Sequence, residues 1–307
     1  MLKHKNEHSH HHHDITDLSG SRLLGSFLVN FIIAISEVIG GMVSGSLSLI
    51  SDSLHNLSDS FAILIAYFAN KISKKPNNFK YTFGYRRAEI LAALINSISL
   101  FAISLFLFRE AYLRIVNPVM IKTDIAIVIA IIGLMANIIG VILLSKDRKK
   151  NLNIKAAYLH LIVDSLSSVT VIIGLILIKL YNITIIDPIL TFIIAIFVLK
   201  ESYKILKRTV EILLMAAPDN ISIEEIKREL EKFDPISNVH HVHLWNIDDK
   251  QVHFEAHVEL PMDMKISETD NILCNIEQLL HEKFGIDHVT IQFETNKCED
   301  KNILKKV

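Results

Sequence analysis

Six long apolar stretches, each broken from the next by a few polar or turn-forming residues, fill the first two thirds of the chain. They cover roughly residues 22–44, 47–70, 87–109, 124–144, 157–180 and 184–203. A bilayer-crossing helix needs about 20 mostly apolar residues, so six transmembrane helices are predicted. Gly40, Gly41 and Gly45 mark the first break, the run around Pro76 the second, Asn117-Pro118 the third, Lys146 to Asn153 the fourth and Tyr181-Asn182 the fifth. From about residue 211 the pattern changes. Ser222, followed by Glu224 and Glu225 and by Ile223, Ile226, Leu230 and Phe233 at helical spacing, predicts a capped amphipathic helix ended by Asp234-Pro235. Val239 to Asn246 and Val252 to Leu260 alternate about the turn Asp248-Asp249-Lys250 and predict a β-hairpin. Helical spacing returns over 267–284 with Gly285 as its stop, and Val289 to Phe293 predicts a third strand.

The predicted architecture is therefore an α-helical membrane protein with six transmembrane helices and a small C-terminal α+β domain of order αββαβ. Its expected parts are an arm over 1–21, a membrane domain over 22–208, a soluble domain over 209–295 and a loose, polar tail over 296–307.

Composition agrees with this division. Half of the 307 residues are apolar and mean hydropathy is +0.37, which excludes a soluble enzyme. Basic residues are split among loops rather than gathered in a nucleic-acid patch. The two cysteines, Cys274 and Cys298, form no C-x-x-C and predict reduced thiols. The N-terminal residues do not have the form of a secretory signal.

Loop charge gives orientation, because cytoplasmic loops collect Lys and Arg. Lys71, Lys74, Lys75, Lys80, Arg86 and Arg87 lie between the second and third stretches. Lys146, Arg148, Lys149, Lys150 and Lys155 lie between the fourth and fifth, and Lys204, Lys207 and Arg208 follow the sixth. The opposite loops carry none in the first, Arg109, Arg114 and Lys122 in the second and Lys179 in the third. The basic loops and both termini are thus expected in the cytoplasm of a cell membrane.

Two of the apolar stretches contain H-x-x-x-D, as His55 and Asp59 in the second and His160 and Asp164 in the fifth. Residues four apart share a helix face, so each helix offers an imidazole beside a carboxylate. Ionisable groups at membrane depth are expensive and point to function. Two such pairs supply the four N and O donors of a tetrahedral zinc site; the competing reading is a local ion pair on each helix. Asp52, one turn before His55, is placed either to orient that imidazole or to start the helix near the rim. Asn30, Asn96 and Asn137 suit interhelical hydrogen bonds, and Glu37 either does the same or lines an ion path.

Outside the membrane, His4, His8 and His10 to His13 form a tract that either collects metal loosely or is a solvated arm or tag. The soluble domain adds His240, His241, His243, His253, His257, His281 and His288, with Glu294 on the last strand. Strand alternation puts His241 with His243, opposite His240, and His253 with His257. Three or four of these residues are expected to form a metal site.

Several segments together resemble the cation diffusion facilitator family of zinc and cadmium exporters. They are SGSLSLISDSLHNLSD, YTFGYRRAEILAALIN, AAYLHLIVDSLSSV, HHVHLWNI and HVTIQFE. The resemblance runs from about residue 20 to 295 and implies a six-helix transporter with a cytoplasmic domain like a metallochaperone. It also implies a homodimer that exchanges a divalent metal for protons. It places the transport site at His55, Asp59, His160 and Asp164, and cytoplasmic metal ligands at His240, His257, His288 and Glu294. Some members carry a further zinc site between the second and third helices; here Tyr85 falls near the position of its histidine, and that site is expected to be missing.

The expected function is Zn²⁺ efflux by metal/proton antiport with alternating access. Metal binds deprotonated ligands, and an imidazole, with an unperturbed pKa near 6.5, exchanges metal for protons at working pH. The rival reading is a membrane-anchored metal sensor that does not transport. No H-E-x-x-H or other base motif supports an enzyme.

Overall fold

A computed structural model describes residues 20–145, 152–295, 297, 298 and 300–304, with the backbone alone for 20–27, 29, 144, 152–157 and 160. The histidine tract, most of the basic run after residue 145 and the last three residues lie outside the described residues.

Six long helices come first: α1 (Gly20–Ser44), α2 (Leu47–Ser73), α3 (Arg87–Val116), α4 (Thr123–Ser145), α5 (Leu152–Tyr181) and α6 (Ile186–Leu213). Among the described residues, Arg87–Val116, Thr123–Leu143 and Leu161–Tyr181 are long and apolar enough to cross a membrane, and Asn30–Ser44 is a shorter apolar helix. The remaining two are diluted by polar residues. Helix α2 carries serines at 48, 51, 53, 58 and 60 as well as His55 and Asp59. Helix α6 carries Lys200, Glu201, Lys204, Lys207 and Arg208 in its second half. It runs to Leu213 where hydropathy predicted an end near 203, because Lys, Glu and Arg are good helix formers and stop an apolar run without stopping a helix.

The chain divides into two compact units, one ending at Leu64 and resuming over Ile103–Val198, the other made of Ile65–Ala102 and Leu199–Val307. In the first unit, buried small residues let the helices approach closely. Leu49 packs with Ala126, Ala130, Val171 and Leu175, and Leu47 with Leu107, Ala111 and Ala195. Helices α1 and α2 are joined at Gly45, whose φ of +77° suits a residue without Cβ. The first turn of α2 is capped from another helix. Asp187, at the start of α6, is fully buried and accepts from Ser46 Oγ at 2.8 Å, Ser48 Oγ at 2.6 Å and the backbone N–H groups of Leu47 and Ser48 at 2.7 and 3.1 Å. These N–H groups are among those a helix start leaves without partners. Arg114 of α3 donates to the Gly45 carbonyl and lies 3.7 Å from the same carboxylate.

The second unit contains α7 (Ile223–Leu230), β1 (Asn238–Asn246), β2 (Val252–Glu259), α8 (Ile266–Phe284) and β3 (His288–Glu294), the predicted αββαβ order. Ser222 caps α7 by accepting from the Glu225 N–H at 3.2 Å, and Gly285 ends α8 in the left-handed region at φ 66°. The sheet order is β1-β2-β3, with β1 antiparallel and β3 parallel to β2. One face is covered by Ile226, Leu230, Ile272, Ile276 and Leu280 of the two helices, which pack on Val239, Phe254 and Val258.

Strand β1 departs from simple alternation. A bulge lies between His240 and His243, and His241 sits at φ 49°. His240 and His241 are therefore both buried and His243 is exposed, whereas alternation had paired His241 with His243. The bulge takes two N–H groups out of the ladder. The tail satisfies them: His241 N–H donates to the Asn302 carbonyl at 3.2 Å and Val242 N–H to that of Ile303 at 2.8 Å. Lys301 adds an ion pair with Glu259 at 2.7 Å. The described part of the tail is thus held against the sheet rather than loose, since buried backbone donors demand acceptors.

At the other end of β2, His253 stacks on His288 with ring centroids 4.5 Å apart, and Trp245 and Phe83 flank it at 5.5 and 5.6 Å. Arg86 approaches Asp248 at 3.8 Å. Burial, reinforced by the neighbouring His288, holds the His253 imidazole below its ordinary range. Between the folded and unfolded values the unfolded chain binds more protons, so stability rises with pH through that window, which lies below about 6.5. Acidification from neutral pH should lower the melting temperature, and less so in His253→Phe. Equal pH dependence in the two proteins would remove His253 from the effect.

Candidate metal centres

Helix α2 places His55 and Asp59 one turn apart, with His55 Nε2 3.4 Å from Asp59 Oδ2. Helix α5 brings Asp164 to them: one ligand atom from each of His55, Asp59 and Asp164 lies within 4.8 Å of the others. Asp164 is buried, while His55 and Asp59 keep about a fifth of their side-chain surface exposed. The fourth expected ligand, His160, lies on α5 one turn before Asp164, and its side chain is outside the described residues. Three oxygen and nitrogen donors converging from two helices suit a borderline divalent cation. Residues of α2 and α5 thus come together at this point.

The two helices are also tied together beside the site. Asp52 accepts from Ser167 Oγ at 2.5 Å and Ser168 Oγ at 3.0 Å, both on α5. These two bonds fasten α2 to α5. In the α2–α3 loop, the Tyr85 hydroxyl accepts from Asn78 Nδ2 at 2.9 Å.

The second centre is built on the sheet. His240 Nε2 contacts Glu294 Oε1 at 2.8 Å, and its Nδ1 contacts Asn238 Oδ1 at 3.0 Å. His257, directly opposite His240 in the ladder, places Nδ1 3.3 Å from Glu294 Oε2. Burial works against ionisation of Glu294, but bonds from the Cys298 thiol and His240 and the adjacent imidazoles outweigh it, so the carboxyl is held below its usual range. Two further residues complete the cluster. The bulge turns His241 inwards, and the tail brings Cys298; ligand atoms of His240, His241, His257 and Cys298 lie within 4.8 Å of one another. His241 is buried with neither ring nitrogen hydrogen-bonded, a costly state that a metal would relieve.

Of the four residues expected here, the structure brings together His240, His257 and Glu294. His288 is elsewhere, exposed and stacked on His253, because β3 pairs it with His253 at the far end of β2. His281 is exposed on α8. His241 and Cys298, which the sequence reading did not include among the four, join this cluster. The adjacent His240-His241 pair within a strand was the available signal for a bulge, since strict alternation would expose one of them.

With these geometries in hand, comparison with known proteins is direct. Residues 23–214 match the model of the cation efflux transmembrane domain, and residues 218–296 match that of the cation efflux protein cytoplasmic domain. The chain is 40% identical over 284 residues to the cadmium, cobalt and zinc/H(+)-K(+) antiporter of Bacillus subtilis strain 168, covering 92% of this chain and 91% of that protein. It is 37% identical over 296 residues to the zinc transporter ZitB of Escherichia coli K12, with 95% and 93% covered. It is 36% identical over 295 residues to the metal cation efflux system protein CzcD of Cupriavidus metallidurans, with 95% and 91% covered. Two matched domains spanning almost the whole chain, and full-length likeness to these transporters, make the protein a member of the cation efflux family.

Proposed function

We propose that the protein exports a divalent metal, Zn²⁺ foremost with Cd²⁺ and Co²⁺ as related cargo, from the cytoplasm across the cell membrane. The exchange partners are protons and, as in the name of the Bacillus relative, K⁺. The observation that carries this reading is the convergence of His55, Asp59 and Asp164 from two helices of the membrane domain. His160 supplies the fourth donor. Metal binding displaces protons from these ligands, and protons arriving from the far side displace metal in return. Competition for the same lone pairs couples the two flows, while the inward and outward states differ in how well the helices align the ligands.

In this reading α1 to α6 all span the membrane, with an arm over 1–21, a transport domain over 22–208, a cytoplasmic domain over 209–295 and a tail over 296–307. The basic loops and both termini face the cytoplasm. The protein works as a homodimer, which the labelling of the matched cytoplasmic family domain as a dimer domain supports. The centre at His240, His241, His257, Glu294 and Cys298 binds regulatory Zn²⁺ and senses cytoplasmic metal.

Purified protein in liposomes holding a zinc dye tests the main claim. Zinc uptake should follow an imposed pH gradient and collapse with a protonophore. Zinc-dependent stabilisation without any flux would favour the anchored sensor instead. For the cytoplasmic centre, the Zn²⁺-induced rise in melting temperature should shrink in His241→Ala and in Cys298→Ser while flux driven by the membrane site persists. A rise equal to wild type in both would remove these residues from it.

A further inference from the structure

The transport reading names two monovalent counter-ions, yet the histidines account for only one of them. A cavity among α1, α2, α4 and α5 opens onto Asp59 and Asp164 and is lined on its other flank by Asn30, Glu37, Asn56 and Asn137. Glu37 is only 2% exposed, and its Oε1 has no hydrogen-bond partner among the described residues. Its Oε2 has one long contact, 3.5 Å from Asn56 Nδ2. A buried carboxylate so poorly served is expensive. The fold nevertheless makes room for it: a Cβ at Gly133 on α4 would fall 1.6 Å from Glu37 Oε1. Position 133 must lack a side chain for this carboxylate to be where it is.

We propose that Glu37 and the carboxamide oxygens of Asn30 and Asn137 form an oxygen-donor subsite for K⁺ beside the divalent metal, with Asn56 Nδ2 holding the Glu37 carboxyl in place. The donor chemistry differs between the two groups. His55, grouped with Asp59 and Asp164, offers imidazole nitrogen, which suits zinc. The Glu37 flank offers only carboxylate and amide groups, and carbonyl oxygens replace the hydration shell of a hard alkali cation well. A proton needs one lone pair, whereas a carboxylate sharing a cavity with the carboxamides of Asn30 and Asn137 provides the several oxygens that K⁺ requires. The nearest charged groups, Asp52 and Asp59 on α2 and Asp164 on α5, are all acidic. A monovalent cation at Glu37 therefore lowers the repulsion left when zinc leaves Asp59 and Asp164, and zinc arrival favours its release.

This inference rests on the transport reading, and the test separates the two. Wild-type protein is reconstituted in liposomes loaded with either K⁺ or choline at equal pH on both sides, and zinc uptake is followed. K⁺ should raise the initial rate severalfold. Glu37→Gln should lose that stimulation while retaining zinc binding by calorimetry and pH-driven uptake in K⁺-free buffer; Glu37→Asp should keep part of it. Equal wild-type rates with K⁺ and choline, stimulation that persists in Glu37→Gln, or loss of pH-driven uptake together with K⁺ stimulation would each overturn the K⁺ subsite. Absence of zinc uptake by wild type under every gradient would instead overturn transport itself.

Discussion

Zinc flux should fall to background in Asp164→Ala. Outer partners of metal ligands, when lost, typically cost roughly 10–100-fold in metal affinity or activity, and Asp164 is proposed as a ligand itself. It is also the described ligand from α5, facing His55 and Asp59 of α2. In the proposed site, losing it leaves the donors of α2 and His160, and one carboxylate instead of two to neutralise the metal's charge. The measurement is dye-reported uptake into proteoliposomes under a pH gradient, with Zn²⁺-induced stabilisation of the cytoplasmic domain as the control for folding. Uptake within a factor of two of wild type would exclude Asp164 from the transport site.

The second large effect is on stability. Asp187→Ala should destabilise the membrane domain by about 3–5 kcal/mol, the range for removing one partner from a buried charged network. The substitution leaves two backbone N–H groups at the start of α2 and the hydroxyls of Ser46 and Ser48 without this acceptor, and removes one of the two carboxylates paired with Arg114, the other being Glu110. Asp187→Asn should not rescue it well. Both carboxylate oxygens accept from donors here, so an amide NH₂ must face at least one of them. Thermal unfolding in detergent checks this, and a melting temperature near wild type in Asp187→Ala would show that α2 keeps its start by other means. Helix α2 carries His55 and Asp59, so loss of zinc affinity should accompany the loss of stability.

Much of this protein was legible in its residues. Apolar stretches located the six long helices, most plainly α3, α4 and α5, whose long apolar runs are what filling a bilayer with internally bonded backbone requires. The H-x-x-x-D spacing identified His55, Asp59 and Asp164 because helical periodicity is regular enough to compute faces. The end of α6 was misplaced because hydropathy reports the membrane edge and not the end of the hydrogen-bond ladder. The cytoplasmic centre was half legible. His240, His257 and Glu294 follow from resemblance, but His241 depends on a bulge and a left-handed φ that alternation cannot express. Cys298 depends on a tail docked by the donors that the same bulge releases. His288 failed for a related reason: its partner across β2 is fixed by strand register, which is a property of pairing and not of one segment. Asp187 passed unnoticed because its partners lie some 140 residues earlier.

The bonds from Ser167 and Ser168 to Asp52 carry a mechanical consequence. They lie one helical turn from His55 on α2 and about one turn from Asp164 on α5, so the two helices that carry the proposed ligands are fastened almost at the proposed site. A motion that pulled α2 from α5 would have to break this clasp before it released a metal. Changes of access should therefore leave α2 and α5 travelling as a single carriage, with the sliding surfaces on the helices around them, and the cargo should ride with its coordination intact until protons arrive to take its place.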